Sequence, residues 1–376
     1  MFIYKKKRYY VLIAIITVVL MLASMAGCGN KGIDPQSVPE NSAASSSQGA
    51  DVTADTAANA VTPADTAASA DTNDTADGTA DANQDESAKA QKFPRKVTDG
   101  NGFEMTIESE PQRILSLNLG ADEMLFGMID KSRFVSLTRY VEDEGISNIA
   151  AEAVGVGTRT TMDQVEKIIS LNPDLIILDT WAEAKYLKQL RDAGITVYAF
   201  KTPGNIDEQR AVILELANVV GAEEKGQELV DWMDGKLKAI EEKLSKLKPE
   251  QRLTVMDYGE LGSSGLGTNF DDIVTRAGLI NVVSKAGIEG WPVISKEKII
   301  EFNPDIIILP SWYYDQKNTF DSMRDTLKND QSLKTVKAIS EDRIISVSNP
   351  HISAISQYVV LAVEDVAKAA YPELFE

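Results

Sequence analysis

Apolar residues follow two rhythms along this chain. One is a short unbroken run, seen at 175–178 (LIIL) and 306–309 (IIIL). Such runs are β-branched and lack polar alternation, as expected of parallel strands covered on both faces. The other is a three- and four-residue spacing, which marks amphipathic helix. The two rhythms meet in a phrase that occurs twice, EKIISLNPDLIIL at 166–178 and EKIIEFNPDIIIL at 297–309, identical at ten of thirteen positions. In each copy a glutamate opens a helical stretch and Asn-Pro-Asp closes it, because proline disfavours helical backbone in the residue before it. The helices are therefore predicted to stop near Asn172 and Asn303.

Strands are also predicted at 113–117, 133–137, 196–200, 253–258 and 343–347, and helices at 121–129 and 354–370. Strand and helix alternate, which predicts an α/β fold with mainly parallel sheets. Two copies of one element, 131 residues apart, predict two similar Rossmann-like lobes with a cleft between them. A longer amphipathic stretch covers 222–247, where Leu229, Met233, Leu237, Ile240, Leu244 and Leu247 recur at helical spacing. As one helix it spans about 37 Å and would link an N-terminal lobe at 93–221 to a C-terminal lobe at 248–376.

The first 28 residues read as a targeting segment. Lys5, Lys6, Lys7 and Arg8 precede an apolar run, which ends in Met25-Ala26-Gly27-Cys28. That ending resembles the lipobox of bacterial lipoproteins, where cleavage leaves a lipid-modified cysteine. Cys28 is the single cysteine of the sequence, so no intramolecular disulfide forms. Residues 29–92 carry eleven acidic side chains, three lysines and no aromatic residue. This Ala/Asp/Thr/Ser-rich stretch buries too little to offset the entropy of ordering and is expected to be a disordered tether. As a flexible coil it spans about 40–50 Å. Lipid on Cys28 would anchor the chain to the extracytoplasmic face of the cell membrane.

Charge and motifs narrow the function. Residues 93–376 hold 31 basic and 46 acidic side chains, which argues against nucleic acid as partner. GSSGLG at 262–267 lacks the G-x-S-x-G spacing of a nucleophile elbow. No G-x-x-x-x-G-K-[ST] occurs, so any ATP hydrolysis falls to another subunit. The single histidine, His351, leaves little room for triad or zinc chemistry. The expectation is a binding protein with no catalytic residue, against an enzyme or an adhesin on the same frame.

RILSLNLGADEML at 113–125, both NPD phrases, GLGTNFDDIVTRAGLIN at 265–281 and Trp291-Pro292 together resemble a known family. It is the ABC-transporter solute-binding proteins for iron–siderophore complexes, haem and cobalamin. The resemblance implies two α/β lobes joined by a single long helix, and a monomer that meets a permease dimer with its ATPase subunits. It implies no resident cofactor, the metal chelate being cargo. A glutamate seven residues before each helix-ending proline docks the permease in that family, which here selects Glu166 and Glu297. On the residues alone, both also suit the first turn of a helix, where negative charge favours the dipole.

Open α/β sheets bind ligands just past their strand ends. That rule nominates Asn118, Arg139, Tyr140, Arg159 and Trp181 in the first lobe, and Trp291, Trp312, Tyr313, Tyr314 and His351 in the second. Aromatic walls suit large flat chelates, and two arginines suit an anionic siderophore. Trp291 and Tyr140 resemble positions that contact ligand in cobalamin binders. Core packing is the competing role for the aromatics, Trp312 and Tyr313 above all. The expected cargo is an iron(III)–siderophore chelate, with cobalamin as the alternative. Haem comes third, since it would need His351 or a tyrosine as axial ligand.

Overall fold

The computed structural model describes residues 93–259, 262–313 and 317–376. The targeting segment, Cys28 and the tether lie outside the described residues.

The described chain opens with an antiparallel hairpin, β1 (Arg95–Thr98) and β2 (Glu104–Ile107). Its turn is held by Asp99, whose Oδ1 accepts from the amides of Asn101 and Phe103, both at 2.9 Å. There follow β3 (Ile114–Ser116), α1 (Leu119–Met128), β4 (Phe134–Thr138), β5 (Thr158–Thr160), α2 (Val165–Ser170), β6 (Leu175–Asp179), α3 (Ala184–Asp192), β7 (Val197–Phe200) and α4 (Ile206–Val220). The strands form one parallel sheet in the order β5-β4-β3-β6-β7.

Helix α5 (Glu223–Leu244) carries the chain onward over 22 residues, about 33 Å at helical rise. The second sheet comprises β8 (Thr254–Asp257), β9 (Ile280–Asn281), β10 (Ile306–Ile308) and β11 (Ile344–Ile345). It is parallel throughout, in the order β11-β10-β8-β9. Its helices are α6 (Asn269–Arg276), α7 (Val282–Lys285), α8 (Lys296–Phe302), α9 (Phe320–Asn329), α10 (Lys337–Ser340), α11 (Asn349–Ile352) and α12 (Val359–Ala370).

The apolar runs become strands because both faces of each sheet are covered. Leu175 and Ile177 enter one core and Ile176 and Leu178 another, the period of two that a strand imposes. Ile306 and Ile308 part from Ile307 and Leu309 in the same way. The inner faces of both sheets share a single continuous core with α1, α4, α5, α6 and α12.

Asn-Pro-Asp does the same three jobs in each copy. Asn172 and Asn303 take left-handed backbone, with φ of 49° and 43°, a conformation asparagine tolerates better than most residues. The proline then blocks further helix. The aspartate ties down the start of the neighbouring strand. Asp174 accepts from the amides of Gln112 (2.7 Å) and Arg113 (3.0 Å), ahead of β3. Asp305 accepts from the amide and hydroxyl of Thr254, at 2.8 and 2.6 Å, at the head of β8.

The closing helix starts later than its apolar pattern predicts, at Val359 rather than 354. Residues 354–358 instead form a turn whose side chains serve Glu123. That carboxylate is 1% exposed, and its Oε1 accepts from the Asn148 amide at 2.7 Å while Oε2 accepts from the Ser356 hydroxyl. Gln357 adds a bond to the Glu123 carbonyl at 3.0 Å.

Candidate functional site

In the first sheet the chain reverses its direction of growth between β3 and β6. The carboxyl ends of those two strands therefore open a crevice. Asn118 spans it. Its Oδ1 caps α1 by accepting from Ala121 N at 3.1 Å, and its Nδ2 donates to Asp179 at the end of β6. Asp179 also accepts from the Trp181 amide at 2.9 Å. A cavity of about 400 Å³ over this edge is lined by Asn118, Thr138, Arg139 and Tyr140. A second, of about 360 Å³, is lined by Asp179, Trp181 and Tyr186. The two share Leu117, Met162 and Asp163. The Arg139 guanidinium lies 4.5 Å over the Tyr140 ring and donates to its hydroxyl.

The second sheet reverses between β8 and β10, and a cavity of about 410 Å³ lies over that point. Tyr258, Phe270, Trp291, Leu309 and Pro310 form its apolar walls. Thr202, Pro203 and Gly204, which follow β7 of the first sheet, close another side. The cavity is thus shared between the lobes.

At its floor Asp257, the last residue of β8, accepts from Ser264 N and Oγ, both at 2.6 Å, and from Ser263 Oγ at 3.1 Å. Burial pushes its carboxyl up from the usual range against the pull of these bonds. Asp257 is the one acidic or basic side chain among the described residues lining this cavity.

Of the residues nominated from the sequence, Asn118, Arg139, Tyr140 and Trp181 line the first-lobe cavities and Trp291 lines the shared one. Trp181 and Trp291 are 76% and 60% exposed, so neither is a core residue. Arg159, Trp312, Tyr313 and His351 line none of the three cavities. Arg159 turns inward to the carbonyls of Val156 and Ala153 and to Glu142, at 2.7, 2.8 and 2.6 Å. The pair of arginines expected for an anionic cargo is therefore reduced to Arg139. His351 lies in α11 with Nδ1 2.6 Å from Asp365 Oδ2. Tyr313 is buried, and the Trp312 indole lies against Gly145 of the other lobe. Tyr314 lies outside the described residues. Glu166 and Glu297 are both exposed, each the second residue of its helix.

A family model described as periplasmic binding protein matches residues 111–350. The chain belongs to that family. One relative of this binding protein is an uncharacterized ABC transporter substrate-binding lipoprotein of Bacillus subtilis, YvrC. It is 26% identical over 305 residues, 77% of this chain and 89% of the relative. A cobalamin-binding protein of Halobacterium salinarum is 22% identical over 290 residues, 76% of each chain. Among solved structures, the molybdate-bound binding protein MolA of Haemophilus influenzae superposes with a TM-score of 0.62 at 21% identity. That match covers 75% of this chain and 92% of MolA, and it establishes the shared fold.

Sequence reasoning missed much of the binding protein's shared cavity. Thr202 follows the strand predicted at 196–200, and Asp257 and Tyr258 close the one predicted at 253–258, so the strand-end rule could have found them. Phe270, Ile352 and Ile355 carry no such signal, because helices α6 and α11 and the turn after α11 bring them to the cavity.

Proposed function

We propose that this periplasmic binding protein is the membrane-anchored substrate-binding lipoprotein of an ABC importer, carrying an iron(III)–siderophore chelate in its interlobe cleft. The observation that carries the reading is the cavity of about 410 Å³ between the lobes, with aromatic and aliphatic walls and Asp257 at its floor. Its size falls in the range of small-molecule sites, about 300–1,000 Å³. Aromatic walls suit a bulky chelate with apolar faces. Apolar walls with one buried acidic side chain and no basic one offer an anion no compensating charge, so the preferred chelate is one whose ligands neutralise the ferric charge, as three hydroxamates do.

The same chain would be tethered through lipid on Cys28 and would deliver its cargo to a permease dimer served by ATPase subunits. Glu166 and Glu297 are the docking carboxylates, one on each lobe. The lipoprotein of Bacillus subtilis named above supports the importer setting.

Cobalamin is the second reading. It is favoured by the exposed indoles of Trp181 and Trp291, which offer flat apolar faces in the two lobes, and by the cobalamin-binding relative. Haem ranks lower because His351 is engaged with Asp365 outside the cavities, which leaves its axial ligation to a tyrosine such as Tyr258.

The test is the absorption spectrum of the full chain purified from iron-starved cells, followed by titration of its tryptophan fluorescence. Ferric tris-hydroxamate is expected to quench and be retained unchanged. Tighter retention of cyanocobalamin would replace the siderophore reading with the corrinoid one. Preference for ferric citrate or molybdate would overturn the charge argument, and chemical turnover of a bound compound would sink the transport role.

A further inference from the structure

Of the isoleucines in the described residues only two are exposed, Ile169 at 40% and Ile300 at 39%. They occupy the same position of the repeated phrase, three residues after Glu166 and Glu297. Their neighbours Ile168 and Ile299 point the other way and are buried, at 0% and 1%, beneath the two sheets. The inward isoleucine of each copy is therefore a core residue. The outward one keeps about 40% of its surface open to solvent, more than any other isoleucine among the described residues. The next outward position differs between copies, Ser170 against Glu301, while the outward isoleucine is the same.

Residues three apart lie on one face of a helix, so each lobe presents a carboxylate and a branched apolar side chain side by side. Neither carboxylate has an ion-pair partner among the described residues. The intervening lysines are drawn elsewhere, Lys167 to the Arg159 carbonyl at 2.7 Å and Lys298 to Glu301 at 2.8 Å.

Resting on the docking reading above, we infer that Glu166–Ile169 and Glu297–Ile300 are two copies of one composite patch, each seated on one subunit of a two-subunit permease. Each carboxylate meets a cation, and each isoleucine covers an apolar spot beside it. An exposed ion pair alone contributes little. Ringing it with apolar contact excludes water and strengthens it, as at the centre of other interfaces. A patch present twice on one chain fits a partner that presents its own surface twice, as a symmetric dimer does.

The test measures binding of the full chain to the importer encoded with it, the permease and ATPase complex held in lipid nanodiscs. The double variant Ile169→Ser/Ile300→Ser should bind about tenfold more weakly, as expected when modest apolar area stays wet. Each single variant should show part of that loss. Leu214→Ser, a change at another exposed apolar site on α4, should have no effect. Thermal midpoints should fall only slightly, and by a similar amount per substitution in Leu214→Ser, which is 39% exposed as well.

Wild-type binding by the double isoleucine variant, with binding lost in Glu166→Arg/Glu297→Arg, would overturn this inference and leave the docking reading intact. Wild-type binding by the charge-reversed variant would remove both. A loss confined to one isoleucine would refute the matched pair, and an equal loss in Leu214→Ser would refute the site.

Discussion

Asp122, fully buried in α1, takes the amide and hydroxyl of Thr138 on Oδ2, at 3.0 and 2.8 Å. Its Oδ1 has no hydrogen-bond partner among the described residues. Burial raises its pKa from 3.8 to about 7, against the opposing bonds from Thr138. A carboxyl whose folded pKa is raised binds its proton more tightly in the native state. Its stabilising contribution is therefore complete below the unfolded pKa and lost as pH rises through the folded one. The contribution of Asp122 should fall between pH values of about 4 and 7, by on the order of a few kcal/mol. Asp122→Asn should flatten this part of the stability-versus-pH curve, measured by urea unfolding from acid to neutral pH. An unchanged slope would show that Asp122 titrates normally. Glu123 is raised by burial too, so part of the slope should persist in the variant.

At the scale of elements, the repeated phrase explains why two segments of this chain fold alike. Its aspartate joins a helix-to-strand break to the strand beside it. Asp305→Ala would strip the acceptor from the Thr254 amide and hydroxyl, at a cost of about 1–3 kcal/mol. Denaturant titration should show that loss with chelate affinity unaltered, because Asp305 lines none of the cavities. Loss of affinity at full stability would contradict the latch. Elements with a strong local signal were legible in advance, as with β6, β10 and α5. The hairpin β1–β2 and the short strands β5 (TRT) and β9 (IN) were not. They contain few apolar residues, and each becomes a strand only because a neighbouring strand completes its hydrogen bonds.

For the whole molecule, the continuous core between the sheets sets the range of motion. Wide separation of the lobes would expose side chains of α1, α5 and α12 together, so closure around cargo should be modest. Direct contacts bridge the lobes at the cleft. Asn148 Nδ2 donates to the Pro350 carbonyl at 2.8 Å, and Asn349 Nδ2 to the Gly145 carbonyl at 3.2 Å. At Gly145 a Cβ would lie 2.1 Å from Cδ1 of Trp312. Gly145→Ala must therefore displace the indole or part the lobes, costing about 1–3 kcal/mol. The expected signs are a lower thermal midpoint and a shifted tryptophan emission. If both stay at wild-type values, Trp312 does not rest on Gly145.

The local pattern of this sequence determined what local physics can decide. Apolar runs set the strands, Asn-Pro-Asp set the helix ends, and the repeat placed Glu166 and Glu297 at matching points of two lobes. Which strand ends face the cleft depended on strand order and on contacts between residues far apart in the chain. Arg159 and His351 have the right chemistry in the right segments, yet Glu142 and Asp365 hold them outside the cavities. Asp257 is one acidic residue among many in the sequence. It comes to line a cavity between the lobes because the second sheet changes direction at β8 and residues 202–204 of the first lobe close another side. Side-chain direction and desolvation come from tertiary packing, and in this protein they decide which of the residues that the sequence supplies line the cavities.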